Sequence, residues 1–174
     1  MKATGIVRRV DELGRLVIPK EIRRTMRLAE GTPLEIFTDR EGQIILKKYS
    51  PMMELGSFAK QYAESVAQTM NQKVAVSDRD QIIAVAGGGK RELLGKTISR
   101  QLEEMIINRE NSIQAGLDKK TIPLISGDED SYSAQAIYPI CCEGDCIGAV
   151  ILYSRENQTH FSETEYKAAA CAAS

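Results

Sequence analysis

Residues 5–27 read GIVRRVDELGRLVIPKEIRRTMR and decide the fold of the first part of the chain. The β-rich runs 5–10 and 16–18 predict two strands, and residues 11–14 predict the turn between them. Pro19 has no N–H to donate to a strand ladder, so the second strand ends there. Its fixed φ also suits the first turn of a helix, which we predict over residues 20–27.

Positive charge is concentrated in the same region. Residues 1–28 carry eight Lys or Arg and three Asp or Glu, a net charge of plus five in a chain whose total is minus one. Residues 49–174 carry a net charge of minus five. A charge asymmetry of this kind predicts a polyanionic partner for the first part, and nucleic acid is the leading candidate.

Two further strands, 33–38 and 43–49, alternate apolar and polar residues across the turn 39–42, which predicts a hairpin. A unit of about 48 residues with one short helix buries little apolar surface by itself. A dimer that shares strands between chains would supply the missing core, so we expect this part to form oligomers.

The composition is that of a globular protein, with 43% hydrophobic and 27% charged residues. No apolar run reaches the roughly 18 residues that a membrane span needs, and the N-terminus has no secretory pattern. Four cysteines in 174 residues do not form a disulfide framework, so we expect reduced thiols. We therefore predict a cytoplasmic protein without membrane contact.

Ser50 and Pro51 predict the cap and first turn of an amphipathic helix that links the two parts over residues 51–72. Apolar residues follow at three- and four-residue spacing, and a subset has the spacing of a coiled-coil seam: Leu55, Ala59, Tyr62 and Val66. We favour packing of this stripe on its own domain over self-association, although its width allows both.

Residues 73–174 predict an antiparallel α+β domain. Strands are expected over 73–77, 82–86, 134–142 and 146–154, with a helix around 98–107 whose apolar residues point inward. A last helix begins at the capping box formed by Ser162 and Glu165. Sheet and flanking helices together describe an α+β domain.

The segments TGIVRRVDELGRLVIPKEIRR and LEIFTDREGQIILKKY resemble the DNA-binding domain of AbrB-type transition-state regulators. The later stretches SFAKQYAES and DCIGAVILYS extend the resemblance to sporulation regulators in which a GAF-type domain follows. The resemblance implies a swapped-hairpin β-barrel dimer in residues 1–50. It also implies tetramers formed through the flanking helices, and a GAF-like sensory or oligomerising domain in residues 73–174.

The same resemblance implies a regulator that activates some sporulation genes and represses others. Its partner would be double-stranded DNA, which we expect to be AT-rich promoter DNA in the nucleoid. The expected DNA contacts are basic residues of the first part: Arg8, Arg15, Arg23, Arg24, Lys2 and Arg9. Arginine can fork onto phosphate oxygens or guanine. The alternative is that some of these arginines only pair with Asp11, Glu12 or Glu21.

GAF-type domains often bind a small molecule beside the sheet. The walls expected here are Val74, Val76, Ile83, Val85 and Tyr138, with an unidentified effector. A domain that only forms oligomers is an equal alternative, since apolar sheet faces do not by themselves indicate a cavity.

Other signals are weaker. Residues 89–97, GKRELLGKT, have five residues where a phosphate loop has four. Adjacent strand residues such as Cys141 and Cys142 cannot both bind one ion, although Cys142 and Cys146 could approach across the hairpin turn. His160 has no triad motif near it. We expect no enzyme activity, cofactor or metal, and the competing function is an antitoxin with the same N-terminal fold.

Overall fold

A computed structural model describes residues 4–49, 52, 56–115, 121–128, 132–142, 144–156 and 161–174. The chain divides into two compact units, Met1–Tyr49 and Ser50–Ser174. Several sequence predictions lie outside the described residues: Lys2, Ser50, Pro51, Leu55 and His160.

The first unit contains helix α1 (Lys20–Thr25) and the antiparallel pair β1 (Leu34–Thr38) and β2 (Ile44–Lys48). The predicted hairpin is thus confirmed. Its turn is closed by the side chain of Asp39, whose Oδ1 accepts from the backbone N–H groups of Glu41 and Gln43 at 2.9 Å each. Such a side-chain acceptor is the usual reason for Asp at the start of a turn.

Residues 4–19 form no strand in the single chain, contrary to the prediction for 5–10 and 16–18. Their turn does form: the Asp11 N–H donates to the Arg15 carbonyl at 3.0 Å, and the Gly14 N–H donates to Asp11 O at 2.9 Å. A β-strand needs a neighbour to pair with, and no described residue of this chain pairs with either predicted strand.

The second unit begins, in its described part, with helix α2 (Gly56–Met70). Its buried residues are Ala59, Ala63 and Ala67, which belong to the same core cluster as Val74 and Leu152 of the sheet. Packing of the helix on its own domain is therefore confirmed. Phe58 remains 63% exposed and stacks on Tyr62 with ring centroids 6.0 Å apart.

An antiparallel five-stranded sheet forms the centre of this unit, in the order β4-β3-β7-β6-β5. Its strands are β3 (Lys73–Asp78), β4 (Ile82–Ala86), β5 (Ser112–Ala115), β6 (Ala134–Cys142) and β7 (Asp145–Ser154). The predicted strands are all present, whereas β5 was not predicted. Four residues without strong alternation are too short a signal to distinguish from a loop.

Helices cover both faces of the sheet. One core cluster joins α2 and α5 (Glu163–Ala173) to one face, and the other joins α3 (Lys90–Leu93) and α4 (Arg100–Asn108) to the opposite face. The capping box of α5 is confirmed, since the Ser162 N–H donates to Glu165 Oε2 at 2.6 Å. Helix α4 begins later than predicted because Ile98 forms a β-bridge with Ile125.

The β6–β7 hairpin carries a bulge that changes the cysteine pairing. Ile140 faces Gly148, but the next residue, Cys141, faces Cys146, so Ile147 is the extra residue. In an unbroken register Cys142 would face Cys146, the approach that the sequence allowed. The bulge instead places Cys142 opposite Asp145, and a disulfide joins Cys141 to Cys146. The Cys142–Cys146 pair that the sequence allowed does not form. The expected reduced state is wrong for Cys141 and Cys146, whereas Cys142 and Cys171 are free thiols.

Candidate nucleic-acid interface

The turn between the two unpaired N-terminal segments is organised by Asp11. Its Oδ1 accepts from the Leu13 N–H at 3.0 Å and from the Arg15 N–H at 2.8 Å, while its Oδ2 accepts from Arg15 Nε at 2.8 Å. The backbone of Arg15 is thus fixed by the carboxylate that also pairs with its side chain. Gly14 has φ 75°, a left-handed conformation that favours glycine in this turn.

Hydrogen bonds from the Arg15 backbone and side chain, in that order, hold the pKa of Asp11 below its ordinary value. The Arg15 side chain is nevertheless 70% exposed, because the ion pair lies at the surface. Of the two interpretations given to the basic residues, Arg15 fits both: it is accessible to a polyanion, and it already has an acidic partner.

Arg23 and Arg24 lie in the last turn of α1 and are exposed. Among the described residues neither forms an ion pair, although Glu21 lies in the first turn of the same helix. Cations also interact favourably with a helix C-terminus. Two adjacent exposed guanidinium groups without an acidic partner in the described region leave their positive charge available to an anion.

Arg8 and Arg9 lie in the exposed segment before the turn. The Arg8 Nη1 donates to the neighbouring Val7 carbonyl at 3.1 Å. Because a carbonyl is uncharged, this contact does not neutralise the Arg8 guanidinium. Lys2 lies outside the described residues. The structure therefore describes five of the six basic residues predicted to contact DNA, and all five are exposed.

The unit that carries these basic residues also exposes many apolar side chains. No residue is buried among the described positions 4–49. Val7 is 83% exposed, Val17 71% and Ile44 72%. A groove of about 450 Å³ is lined by apolar residues of this unit, including Ile6, Leu16, Ile18, Ile22 and Leu46. One chain thus leaves uncovered the residues that would form the core of a folded unit.

The residues predicted to line a ligand pocket are not brought together. Val74 and Val76 belong to the cluster under α2 and α5, against which Ile83 and Tyr138 also pack. Val85 belongs to the cluster on the opposite face, with α4. Because a sheet separates Val85 from the other four, these five side chains do not line one cavity.

A polar cluster that the sequence did not reveal lies at the end of β7. Arg155 Nη1 lies 2.8 Å from Glu92 Oε2, and its Nη2 lies 3.6 Å from Asp128 Oδ2. Tyr132 donates from its hydroxyl to Asp128 at 2.6 Å, and its ring lies under the Arg155 guanidinium. These residues are far apart in sequence and share no motif, so only the fold brings them together.

Neighbouring Tyr153 donates from its hydroxyl to the Gly88 carbonyl at 3.0 Å. Burial raises the pKa of Tyr153 to about 12, with a smaller opposing effect from Arg155, so the phenol keeps its proton at neutral pH. Within the described residues no group of three His, Cys, Asp or Glu side chains could hold a metal ion. The described helices also include none with the length and apolar character needed to traverse a bilayer.

Two family models match the chain. One is described as stage V sporulation protein T C-terminal, transcription factor, and matches residues 54–174. The other, described as antidote-toxin recognition MazE, bacterial antitoxin, matches residues 7–53. The chain is also 49% identical over 173 residues to stage V sporulation protein T of Bacillus subtilis, a match that covers 99% of this chain and 95% of that protein.

Solved structures match the first unit in sequence and the second in fold. A solution structure of the N-terminal DNA recognition domain of the Bacillus subtilis transition-state regulator AbrB is 67% identical and covers 29% of this chain and 94% of its own, with a TM-score of 0.25. The GAF domain of an Acinetobacter phosphoenolpyruvate-protein phosphotransferase is 13% identical, with a TM-score of 0.56, covering 74% of this chain and 80% of its own. The sheet of the second unit therefore has a GAF-like fold.

Proposed function

Since the chain belongs to the family of stage V sporulation protein T, we propose that it is a DNA-binding transcription regulator of sporulation. The proposal extends to activation of some genes and repression of others. It assigns DNA contact to the first unit and oligomerisation to the second, including the linking helix of residues 51–72. The site of action would be the nucleoid in the cytoplasm.

The observation that carries the proposal is the pair Arg23 and Arg24. Both are exposed in the last turn of α1 and have no ion pair among the described residues. They lie in a segment of net charge plus five, within the part that is 67% identical to the DNA recognition domain of AbrB. Clustered arginines of this kind favour phosphate contact, with guanine edges as further acceptors. Arg8, Arg9, Arg15 and Lys2 complete the proposed surface.

The proposal includes a homodimer of the first unit, which its exposed apolar residues support. The described positions 4–49 bury no side chain, and the segment 4–19 pairs with no strand of its own chain. A second copy that contributes the same segments would pair these backbones and fill the groove lined by Ile6, Leu16 and Leu46. Two-fold symmetry would then duplicate the basic surface.

Tetramers are proposed through α2 and its flanking residues. One face of this helix is buried in the domain through Ala59, Ala63 and Ala67. Phe58, on the same helix, is 63% exposed to solvent. An exposed aromatic residue stacked on Tyr62 is a suitable anchor for a second helix. A small-molecule effector for the second unit stays a prediction, which a thermal-shift screen of metabolites tests; no response would favour a purely oligomerising domain.

The alternative function is an antitoxin, because residues 7–53 match an antitoxin model. The same residues resemble AbrB, so this match does not distinguish the two functions. Residues 54–174 do distinguish them, because they match the transcription-factor family and lie in a compact unit of their own. We therefore prefer the regulator and expect no catalytic activity.

Fluorescence anisotropy with labelled duplexes tests the proposal. The full chain should bind an AT-rich duplex more tightly than a GC-rich duplex of equal length. Its affinity should fall steeply and log-linearly with salt, since counterions are released from the phosphates. Light scattering on the same samples should give a dimer or tetramer. The proposal would be contradicted if the affinity for DNA did not depend on salt, or if the protein bound DNA as a monomer.

A further inference from the structure

The tip of the β6–β7 hairpin holds two cysteines in directly opposed positions. The bulge after Ile140 sets Cys141 opposite Cys146, with their Cα atoms 3.9 Å apart and their sulfur atoms bonded. Only five positions separate the two residues in sequence, so the pairing needs no other part of the fold than this hairpin. Cys142, one residue further along, faces Asp145 and is not part of the pair.

The two paired cysteines differ in accessibility. Cys141 is exposed, whereas Cys146 is 4% exposed and belongs to the core cluster that includes Ala149 and Ile151. A thiol or disulfide from solution therefore has better access to Cys141 than to Cys146. Exposed protein disulfides are the labile ones, whereas buried ones resist reduction.

Arginine side chains from two other segments also donate hydrogen bonds to the hairpin tip. Arg79, in the turn between β3 and β4, donates from Nε to the Cys146 carbonyl at 2.5 Å. Arg109, at the end of α4, donates from Nη2 to the carbonyl of Gly144. Residues of two other segments therefore contact the tip between Cys141 and Cys146.

We propose that Cys141 and Cys146 form a reversible thiol–disulfide site that reacts with low-molecular-weight disulfides and thiols. In oxidation, the Cys141 thiolate attacks one sulfur of a disulfide RSSR and expels RS⁻, which takes up the proton lost by Cys141. The Cys146 thiolate then attacks the Cys141 sulfur and expels the second RS⁻, which takes the proton of Cys146. The balance is two protein thiols plus RSSR giving one protein disulfide plus two RSH.

Reduction reverses these steps. An external thiolate attacks the exposed Cys141 sulfur and releases Cys146 as the leaving thiolate, and a second thiol then frees Cys141. Closing the hairpin tip by a covalent bond reduces the freedom of the unfolded chain and holds the carbonyls to which Arg79 and Arg109 donate. The site is independent of the DNA-binding proposal, because it rests on the hairpin alone.

The test equilibrates the full chain with mixtures of oxidised and reduced glutathione and stops the exchange with acid. The chain is then unfolded, so that buried Cys146 is also accessible, and its free thiols are alkylated and mapped by mass spectrometry. Cys142→Ser with Cys171→Ser removes the two exposed unpaired cysteines and serves as the background. In this background we expect Cys141 and Cys146 to escape alkylation together in oxidising mixtures and to be alkylated together in reducing ones. Independent alkylation of the two cysteines, or no dependence on the mixture, would overturn the proposal.

Single variants test the roles of the two cysteines. In the Cys146→Ser variant the glutathione adduct should accumulate on Cys141. In Cys141→Ser the buried Cys146 should form the adduct at least about tenfold more slowly. Equal rates would overturn the assignment of Cys141 as the attacking thiol.

A further measurement compares the oxidised and reduced forms of the unsubstituted chain, so it does not depend on whether a variant folds. We expect reduction to lower the thermal midpoint of the second unit by about 5 °C. Amide exchange should become faster at residues 140–146 and around Arg109. An unchanged midpoint and unchanged exchange would overturn the claim that the bond holds the tip.

Discussion

Arg15 is held by Asp11 through its backbone and its side chain at once. The carboxylate accepts from the Arg15 backbone N–H at 2.8 Å on one oxygen and from Arg15 Nε at 2.8 Å on the other. The first of these bonds shapes the turn, and the second neutralises a cation that we propose contacts DNA. The two contributions of Asp11 can be separated experimentally.

Asp11→Asn should raise the affinity for DNA about two- to fivefold at low salt, because the amide oxygen keeps the turn while the negative charge beside Arg15 is removed. Asp11→Ala should lower the affinity, since the backbone N–H groups of Leu13 and Arg15 lose their acceptor. Anisotropy titrations of both variants measure this. Equal affinities for the two variants would show that the turn does not position Arg15.

The close approach of Tyr153 to Gly89 predicts coupling between them. A Cβ at Gly89 would lie 2.6 Å from the Tyr153 hydroxyl oxygen but 3.7 Å from the nearest ring carbon, and Gly89 has φ 77°. Gly89→Ala should destabilise the unit by about 2–3 kcal/mol through strain and overlap. Tyr153→Phe alone should cost about 1 kcal/mol from the lost hydrogen bond to Gly88.

In the double variant the overlap disappears, so its destabilisation should be smaller than the sum of the two single effects by about 1 kcal/mol. Urea unfolding of the unsubstituted chain, the two single variants and the double variant gives the four free energies of this double-mutant cycle. Simple additivity would mean that the backbone conformation of Gly89, and not Tyr153, requires glycine.

At Gly148 strand β7 has no room for a side chain next to strand β3. A Cβ there would lie 2.0 Å from the Ser77 carbonyl oxygen, which belongs to the sheet and cannot move aside. Gly148→Ala should therefore destabilise the second unit by about 3 kcal/mol. Gly56→Ala is the control, since nothing lies within 4 Å and alanine favours helix α2. Equal midpoints in urea for the two variants would contradict the predicted overlap.

The capping box of α5 predicts a pH dependence. Partial burial raises the pKa of Glu165, but hydrogen bonds from the Ser162 backbone and hydroxyl outweigh it, so the folded-state pKa is lowered. The ionised group therefore stabilises the fold fully above the ordinary glutamate pKa of about 4.3, and this contribution is lost as the pH falls through the lower folded-state value.

Glu165→Gln should consequently lower the thermal midpoint by about 2 °C at neutral pH and by less below the folded-state pKa. Differential scanning fluorimetry from neutral to acidic pH measures the difference from the unsubstituted chain. If the difference in thermal midpoint between the two proteins grew as the pH fell, the proposed stabilisation by ionised Glu165 would be contradicted.

Much of the second unit was predictable because its signals are local. Ser162 and Glu165 specify a helix start within four residues, and alternation specifies the β6–β7 hairpin. The cysteine register was not predictable, since the extra residue Ile147 belongs to a bulge with no sequence signature in this chain. Val85 was assigned to the wrong face because an apolar strand does not indicate which helix covers each side.

The first unit shows a different limit. Residues 16–18 have the composition of a strand but are unpaired in one chain, as expected if the proposed dimer pairs them with a second copy. Exposure of Arg23 and Arg24 was predictable from the pattern around Ile22 and Met26 in a short helix. The ion pair of Arg15 was among the expected alternatives, but its second contact, through the backbone, became visible only in the folded turn.

The central claim is that Arg23 and Arg24 bind DNA, and the most direct measurement compares Arg23→Ala/Arg24→Ala with the charge-matched control Arg40→Ala/Arg100→Ala by anisotropy across a salt series. The first variant should bind about 10- to 100-fold more weakly, with a log–log salt slope shallower by about 2–4 for a dimer. The control should bind within about twofold of the unsubstituted chain, and light scattering should show both variants to be oligomeric. Equal affinity and slope for the two variants would contradict the account.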